Sequence, residues 1–250
     1  MSKRFKKKVV SFLLVGAVVT GIYGYNYFFG LPNEGESEFG EINDVEVTQQ
    51  DEITGDEYSN EDESTPYLVV NDNKPSFTEN EKQQTEEYKR FSSLDALGRC
   101  GSAEAVIGPD LLPTEERGSI GMVKPSGWHT ARYDDIIADK YLYNRCHLIA
   151  FSLCGENANE QNLITGTRYM NTEGMLPFEM EVLDYVRETG NHVVYRVTPI
   201  FKGKDLVARG VRMEAYSVED KGKGISFNVY CKNIQPGIEI DYATGESKRK

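Results

Sequence analysis

Hydrophobic positions are spread unevenly along the 250 residues. Residues 9–29 form one long apolar run without a charged residue, from Val9-Val10 through Phe12, Leu13, Leu14 and Val15 to Tyr25, Tyr27, Phe28 and Phe29. About 20 such residues suffice for an α-helix to cross a hydrocarbon core of about 30 Å, so residues 9–30 are expected to span a membrane. Residues 31–66 show no apolar period at all. From residue 67 onward short patterned runs appear. Residues 67–70 read as a strand closed by Asn71-Asp72-Asn73-Lys74-Pro75. Thr78-Glu79-Asn80-Glu81 resembles a helix cap before a polar, partly helical stretch. Residues 94–108 suggest a strand entering a turn, and residues 109–130, with three Pro, three Gly and Trp128, suggest a long ordered loop. Phe178, Val182, Tyr185 and Val186 recur at helical spacing and stop at Gly190-Asn191. Three strand-like runs follow at 192–197, 206–213 and 225–230. Strands grouped after helices predict an α+β domain over residues 67–244, with a central antiparallel sheet flanked by helices and a polar tail at 245–250.

Charge sharpens this division. Residues 1–8 carry five positive charges, residues 34–66 carry thirteen Asp or Glu and no Lys or Arg, and the chain totals −12. Setting both groups aside leaves −4 over residues 67–250. The acidity is therefore a property of residues 31–66, which bury too little apolar surface to fold and read as a disordered, self-repelling linker. A nearly balanced folded part excludes a generally basic nucleic-acid coat protein, and 39% hydrophobic residues exclude a multi-pass membrane protein. The basic residues 1–8 place the N-terminus in the cytoplasm and the folded domain outside, as a single-pass cell-membrane protein. Secretion after cleavage of a signal peptide is the alternative.

Common chemical signatures are missing from the sequence. There is no CxxC pair and no HExxH, and only three histidines occur, at 129, 147 and 192. A zinc site from Cys146, His147 and Cys154 would define a hydrolase of another fold, and no G-x-S-x-G elbow supports a serine triad. Four cysteines, at 100, 146, 154 and 231, allow three full disulfide pairings without choosing among them. Residues 144–179 are more informative. They combine His147 beside Arg145 with an Asn-rich loop and then Arg168, Asn171 and Glu179. Neutral Asn oxygens and a lone carboxylate suit Mg²⁺, which keeps several waters and takes further ligands from phosphate. An imidazole can remove a proton from water, and guanidinium groups can stabilise charge on phosphorus. Arg168 enters on this chemical ground alone.

Asn144-Arg145-Cys146-His147 resembles the Asp-Arg-Gly-His motif of the DNA/RNA non-specific endonucleases. Residues 159–164 and 165–171 resemble that family's Asn-containing strand and metal-binding helix, and Glu179 falls at its helix glutamate. Leu94-Asp95-Ala96-Leu97-Gly98-Arg99 and Lys124-Pro125-Ser126-Gly127-Trp128-His129 resemble its Gram-positive, streptococcal-type branch. The resemblance covers about residues 67–244 and implies a ββα-metal nuclease fold. It implies that His147 is the general base and that Asn171 is the direct ligand of one Mg²⁺, for which Mn²⁺ can substitute. It also implies that Glu179 holds metal-bound water, Arg145 positions phosphate and Asn162 supports the site or the substrate. On a continuous α-helix Asn171 and Glu179 would lie about 12 Å apart. Nucleic acid is the implied partner, DNA with RNA left open, beside the membrane contact of the N-terminal segment. No protein partner is identifiable. Asn144 and Cys146 depart from the motif's acid and glycine. They are the support for the alternative class, a non-catalytic surface protein that binds nucleic acid on a nuclease fold.

Overall fold

The computed structural model describes residue 60 and residues 62–250. The expected cytoplasmic segment 1–8, the expected span 9–30 and almost all of the expected linker 31–66 lie outside the described residues. Among the described residues no helix is long and apolar enough to cross a membrane.

Six strands form one antiparallel sheet: β1 (Tyr67–Val69), β2 (Tyr88–Phe91), β3 (Ala103–Ile107), β6 (Val193–Ile200), β7 (Gly210–Ser217) and β8 (Ser226–Lys232). Their spatial order is β1-β8-β7-β6-β3-β2. β6 and β7 are the long central pair, in register from Val193 opposite Ser217 to Ile200 opposite Gly210. Val193, Tyr195 and Val197 alternate along one face of β6 and are fully buried with Met213, Ala215 and Val229 of the neighbouring strands. Against this face packs α2 (Leu176–Thr189), through Val182, Leu183 and Val186. Burying each of these side chains contributes about 1.5–3 kcal/mol, which outweighs the weak intrinsic helix preference of valine. Gly190, in the left-handed region at φ +69°, returns its N–H to the Val186 carbonyl and ends the helix.

The opposite face of the sheet is covered by residues 71–84. Phe77 packs on Val106 and Val194, and Ser76 donates from both its backbone N–H and its hydroxyl to the buried Glu214 carboxylate at 2.7 Å. Thr78 and Glu81 exchange the expected capping hydrogen bonds, but only a 3₁₀ turn, Glu81–Gln83, follows. The stretch expected to be partly helical instead continues into the edge strand β2, because Tyr88 and Phe91 pair with β3.

A separate hairpin-like pair, β4 (Tyr143–His147) and β5 (Leu163–Thr167), stands off the main sheet. Short α1 (Phe151–Cys154) lies in the connection between them. Asn233 ties β5 to the rest of the fold, donating to the Thr165 and Ala208 carbonyls and accepting from the Thr167 N–H. Two boundaries differ from expectation. Ser247–Arg249, in the expected polar tail, forms β10 and pairs with β9 (Ile238–Ile240). Residues 62–66, assigned to the linker, belong to the fold: Lys232, fully buried on β8, donates its ammonium to the Asp62 carbonyl at 2.5 Å and the Thr65 hydroxyl at 3.2 Å.

Candidate active site

β4 and the start of the helix that follows β5 enclose one side of an open cleft of about 800 Å³. Arg145, His147, Arg168, Asn171 and Glu179 all line it. Residues 108–130 form the loop expected from the sequence and supply the opposite wall through Arg117, Ile120, Trp128 and Thr130.

His147 ends β4 and is 6% exposed. Its Nε2 lies 2.7 Å from the carbonyl oxygen of Asn157. A carbonyl only accepts, so Nε2 carries the ring hydrogen and Nδ1 keeps its lone pair. Arg117 approaches that Nδ1 with its Nη2 at 3.4 Å. Burial, followed by the Arg117 charge, lowers the His147 pKa below the ordinary imidazole value, while the Asn157 carbonyl opposes them. His147 is thus a neutral base of fixed tautomer.

The helical part of the same wall begins where the chain leaves β5. Thr167 caps the new helix by accepting from the Met170 N–H at 3.0 Å. Met170–Met175 then form a π-helical turn that runs directly into α2, with the Leu176 N–H bonded to the Asn171 carbonyl five residues back. Pro177 lies just beyond and has no N–H to continue an α-helical ladder, and its ring needs room at the preceding turn. Widening that turn meets both needs, and such turns concentrate at functional sites. Asn171 lies in the wide turn and Glu179 in the first turn of α2 proper. Glu179 is 8% exposed, and burial pushes its pKa up to about 8 against the opposing charge of Arg117. Asn171 donates from Nδ2 to Asn144 Oδ1 at 3.3 Å, which leaves its own oxygen free. A free amide oxygen with a carboxylate along the same wall is a donor set that fits a hard divalent cation completed by phosphate. The zinc alternative has no such support: among the described residues no group of three metal-ligating side chains occurs. Cys146 and Cys154 face the core cluster.

Arg145 lines the cleft but is heavily engaged. Its guanidinium stacks 3.9 Å from the centre of the Trp128 ring and donates to the Val123 and Gly121 carbonyls, which fastens the 108–130 loop to β4. Arg168 pairs with Asp139 at the rim, where both side chains are substantially exposed. Asn162 is not in the cleft. It is fully buried and clamps the connection from β4, accepting from the Ile149 N–H at 2.9 Å and donating to the Ile149 carbonyl at 3.0 Å. Of the two roles expected of it, support of the site or of the substrate, the second is corrected: both ends of the amide are spent on backbone two residues beyond His147. Cys146, in place of glycine, points into the core over Gly166, where a Cβ would come within 2.3 Å of its sulfur. Arg117 is the cleft residue that the sequence reading missed. It sits in the loop outside any motif, and only its basic character among Pro and Gly residues could have drawn attention to it.

The model of the DNA/RNA non-specific endonuclease family matches residues 79–219, more than half of the chain. A deoxyribonuclease of Streptococcus dysgalactiae subsp. equisimilis is 31% identical over 112 residues, which are 43% of this chain and 33% of that protein. The matched part of the chain thus spans about a third of that relative's length. The structure of NucA from Streptococcus agalactiae with a bound magnesium ion superposes with a TM-score of 0.64 at 26% identity, over 75% of this chain and 91% of NucA. Sda1 nuclease with a bound zinc ion gives 0.61 at 25% identity, over 74% and 97% of the two chains. The sheet-rich α+β architecture described above is the one shared with these nucleases.

Proposed function

We propose that this chain, which belongs to the DNA/RNA non-specific endonuclease family, is a Mg²⁺-dependent endonuclease that hydrolyses the phosphodiester backbone of DNA, with RNA as a further substrate. The single observation that carries the reading is His147: buried, neutral, its hydrogen committed to Asn157 and its Nδ1 beside Arg117, in the cleft that Asn171 and Glu179 also line. With Arg117 turned from it to the phosphate, that nitrogen accepts the proton of an attacking water. Asn171 is the residue that would hold the cation, which supplies positive charge to the scissile phosphate; NucA has been solved with magnesium and Sda1 with zinc. Glu179 accepts hydrogen bonds from water on the same wall, completing with β4 and β5 the ββα-metal arrangement. Arg117 adds to burial in keeping His147 neutral and, lining the same cleft, would stabilise charge that develops on the phosphate. Arg145 holds the loop wall in place, and Arg168 contributes positive charge at the rim.

Contacts of this kind address phosphate rather than base edges, so sequence specificity is low, and cleavage weakens as salt rises. The N-terminal pattern of basic residues 1–8 followed by an uncharged apolar run supports a membrane anchor with the catalytic domain outside the cell. Protease treatment of intact cells tests that placement: an anchored outer domain is shed, and an internal one survives.

The activity is tested on plasmid DNA with the purified protein in Mg²⁺, in EDTA, and as His147→Ala in Mg²⁺. Cutting that requires the cation and vanishes in the variant supports the assignment. A wild-type protein that binds DNA and never cuts it would overturn catalysis in favour of nucleic-acid binding alone.

A further inference from the structure

Asn144 occupies the position where the motif has an acid, and the chemistry above gives it no role. Its side chain lines the cleft beside Asn171. The partner it meets has two chemically unlike ends. A hard cation accepts only the oxygen of a carboxamide, because the amide nitrogen carries two hydrogens and no available lone pair. If Asn171 were flipped about its last torsion, the nitrogen would face the cleft and its oxygen would oppose Asn144 Oδ1, acceptor against acceptor. With Asn144 presenting its oxygen, the 3.3 Å hydrogen bond from Asn171 Nδ2 holds the other state; an Asn144 turned to present its amide nitrogen would hold the flipped one.

We propose that Asn144 is the positioning residue of the cation site: by accepting from Asn171 Nδ2 it turns the Asn171 oxygen toward the cleft, and it does so without adding charge. The inference rests on the reading of Asn171 as the cation's ligand. The backbone supports the placement. Asn144 lies opposite Gly166 in the β4–β5 ladder, and Thr167, the next residue, caps the helix that carries Asn171. The two amides are therefore held by the two ends of one rigid connection. Replacement of an acid by Asn at this position keeps the acceptor and loses the charge. An ionised acid can only accept, whereas the amide also has a donor end, so orientation is held less strictly, the charge is lost, and a single carboxyl group, Glu179, remains on that wall.

The test is Mn²⁺ binding to the purified full chain without nucleic acid, followed by electron paramagnetic resonance, for wild type, Asn144→Leu, Asn144→Asp and Asn171→Leu. Loss of an outer hydrogen-bond partner typically weakens a metal site by about 10- to 100-fold, and Asn144→Leu is expected to fall in that range. Asn144→Asp keeps the acceptor and restores the charge, so it should bind at least as tightly as wild type. That rescue is something a merely structural role would not produce. Thermal melts check folding, and Asn144→Ser, whose hydroxyl is too short to reach Asn171, is read in place of the leucine variant if that one does not fold. Equal Mn²⁺ affinity in wild type and Asn144→Leu (or Asn144→Ser) sinks the proposal while the ligand role of Asn171 stands. No saturable binding in wild type, or undiminished binding in Asn171→Leu, removes the ligand reading and the inference with it.

Discussion

Asn171 and Glu179 are eight residues apart in the chain and line the same cleft because a π-turn lies between them. At about 100° per residue, eight α-helical steps would leave the two side chains about 80° apart around the axis. The wide turn absorbs one residue, so seven effective steps bring them to within about 20°. Rotation around the helix, more than distance along it, was the obstacle, and Pro177 sits where it forces the solution.

Removing that proline should therefore disturb function more than folding. Pro177→Ala restores an N–H in the first turn of α2, where the proline is already accommodated by the wide turn before it. The expected outcome is a melting temperature equal to or above wild type, with Mg²⁺-dependent cutting reduced at least ~10-fold as the turn relaxes toward α geometry. Undiminished cutting would mean that the turn does not set the register.

His147 makes a prediction in pH. Its folded pKa is lowered by burial and by Arg117, so the folded state favours the neutral ring. Stability from this group is present above the ordinary imidazole pKa and is lost as pH falls below it toward the folded value. With only three histidines in the chain, the His147 ring resonance can be followed by NMR in the metal-free protein. Its midpoint should lie below 6.5, and Arg117→Met should move it upward. A midpoint unchanged in the variant would deny Arg117 its electrostatic role.

Glu179 behaves in the opposite sense. A carboxyl raised from 4.5 to about 8 by burial is held protonated by the fold. The metal-free protein loses stability as pH rises from 4.5 toward 8 and shows no further effect of this group above that range. In EDTA, Glu179→Gln should be more stable than wild type at pH 7 by about 3 kcal/mol at most, and equal to it at pH 4. Urea midpoints at the two pH values decide this. A variant less stable than wild type at pH 7 would show that the carboxylate is ionised and satisfied.

The Lys232 clamp predicts where the domain can be cut. A chain beginning at residue 67 lacks the Asp62 carbonyl and Thr65 hydroxyl that receive the buried ammonium. It should be less stable than one beginning at residue 59 by about 2 kcal/mol in urea unfolding, the scale of hydrogen bonds to a charged group. Lys232→Met should restore part of the loss in the short chain only. Equal stability of the two chains would show that the clamp contributes nothing net.

What could be read in the sequence follows from the range of the interactions involved. The stop of α2 at Gly190 and the strand runs of β6, β7 and β8 depend on local period, and they were visible. His147, Arg145, Asn171 and Glu179 were named from a motif, and the fold brings them to one cleft. β2 was missed because an edge strand of four residues in a polar stretch has no buried period of its own. β10 was missed because its pairing to Ile238–Ile240 joins residues that look like an ordinary polar end. Arg117 reaches His147 across 30 residues of sequence, a contact that no spacing announces. Asn162 shows the converse error. A polar residue near a motif suggests the site or its substrate, and the need it meets is that of two backbone groups at Ile149.

The cysteines carry a consequence for the folded protein. All four thiols are free and buried, and burial raises Cys100 to about 12 and Cys154 to about 11. Thiolate is the reactive form, so neither oxidant nor exchange partner finds a handle in the folded domain. Once folded, the domain is held by side-chain packing without a disulfide, so a reducing or an oxidising medium should leave its melting temperature the same.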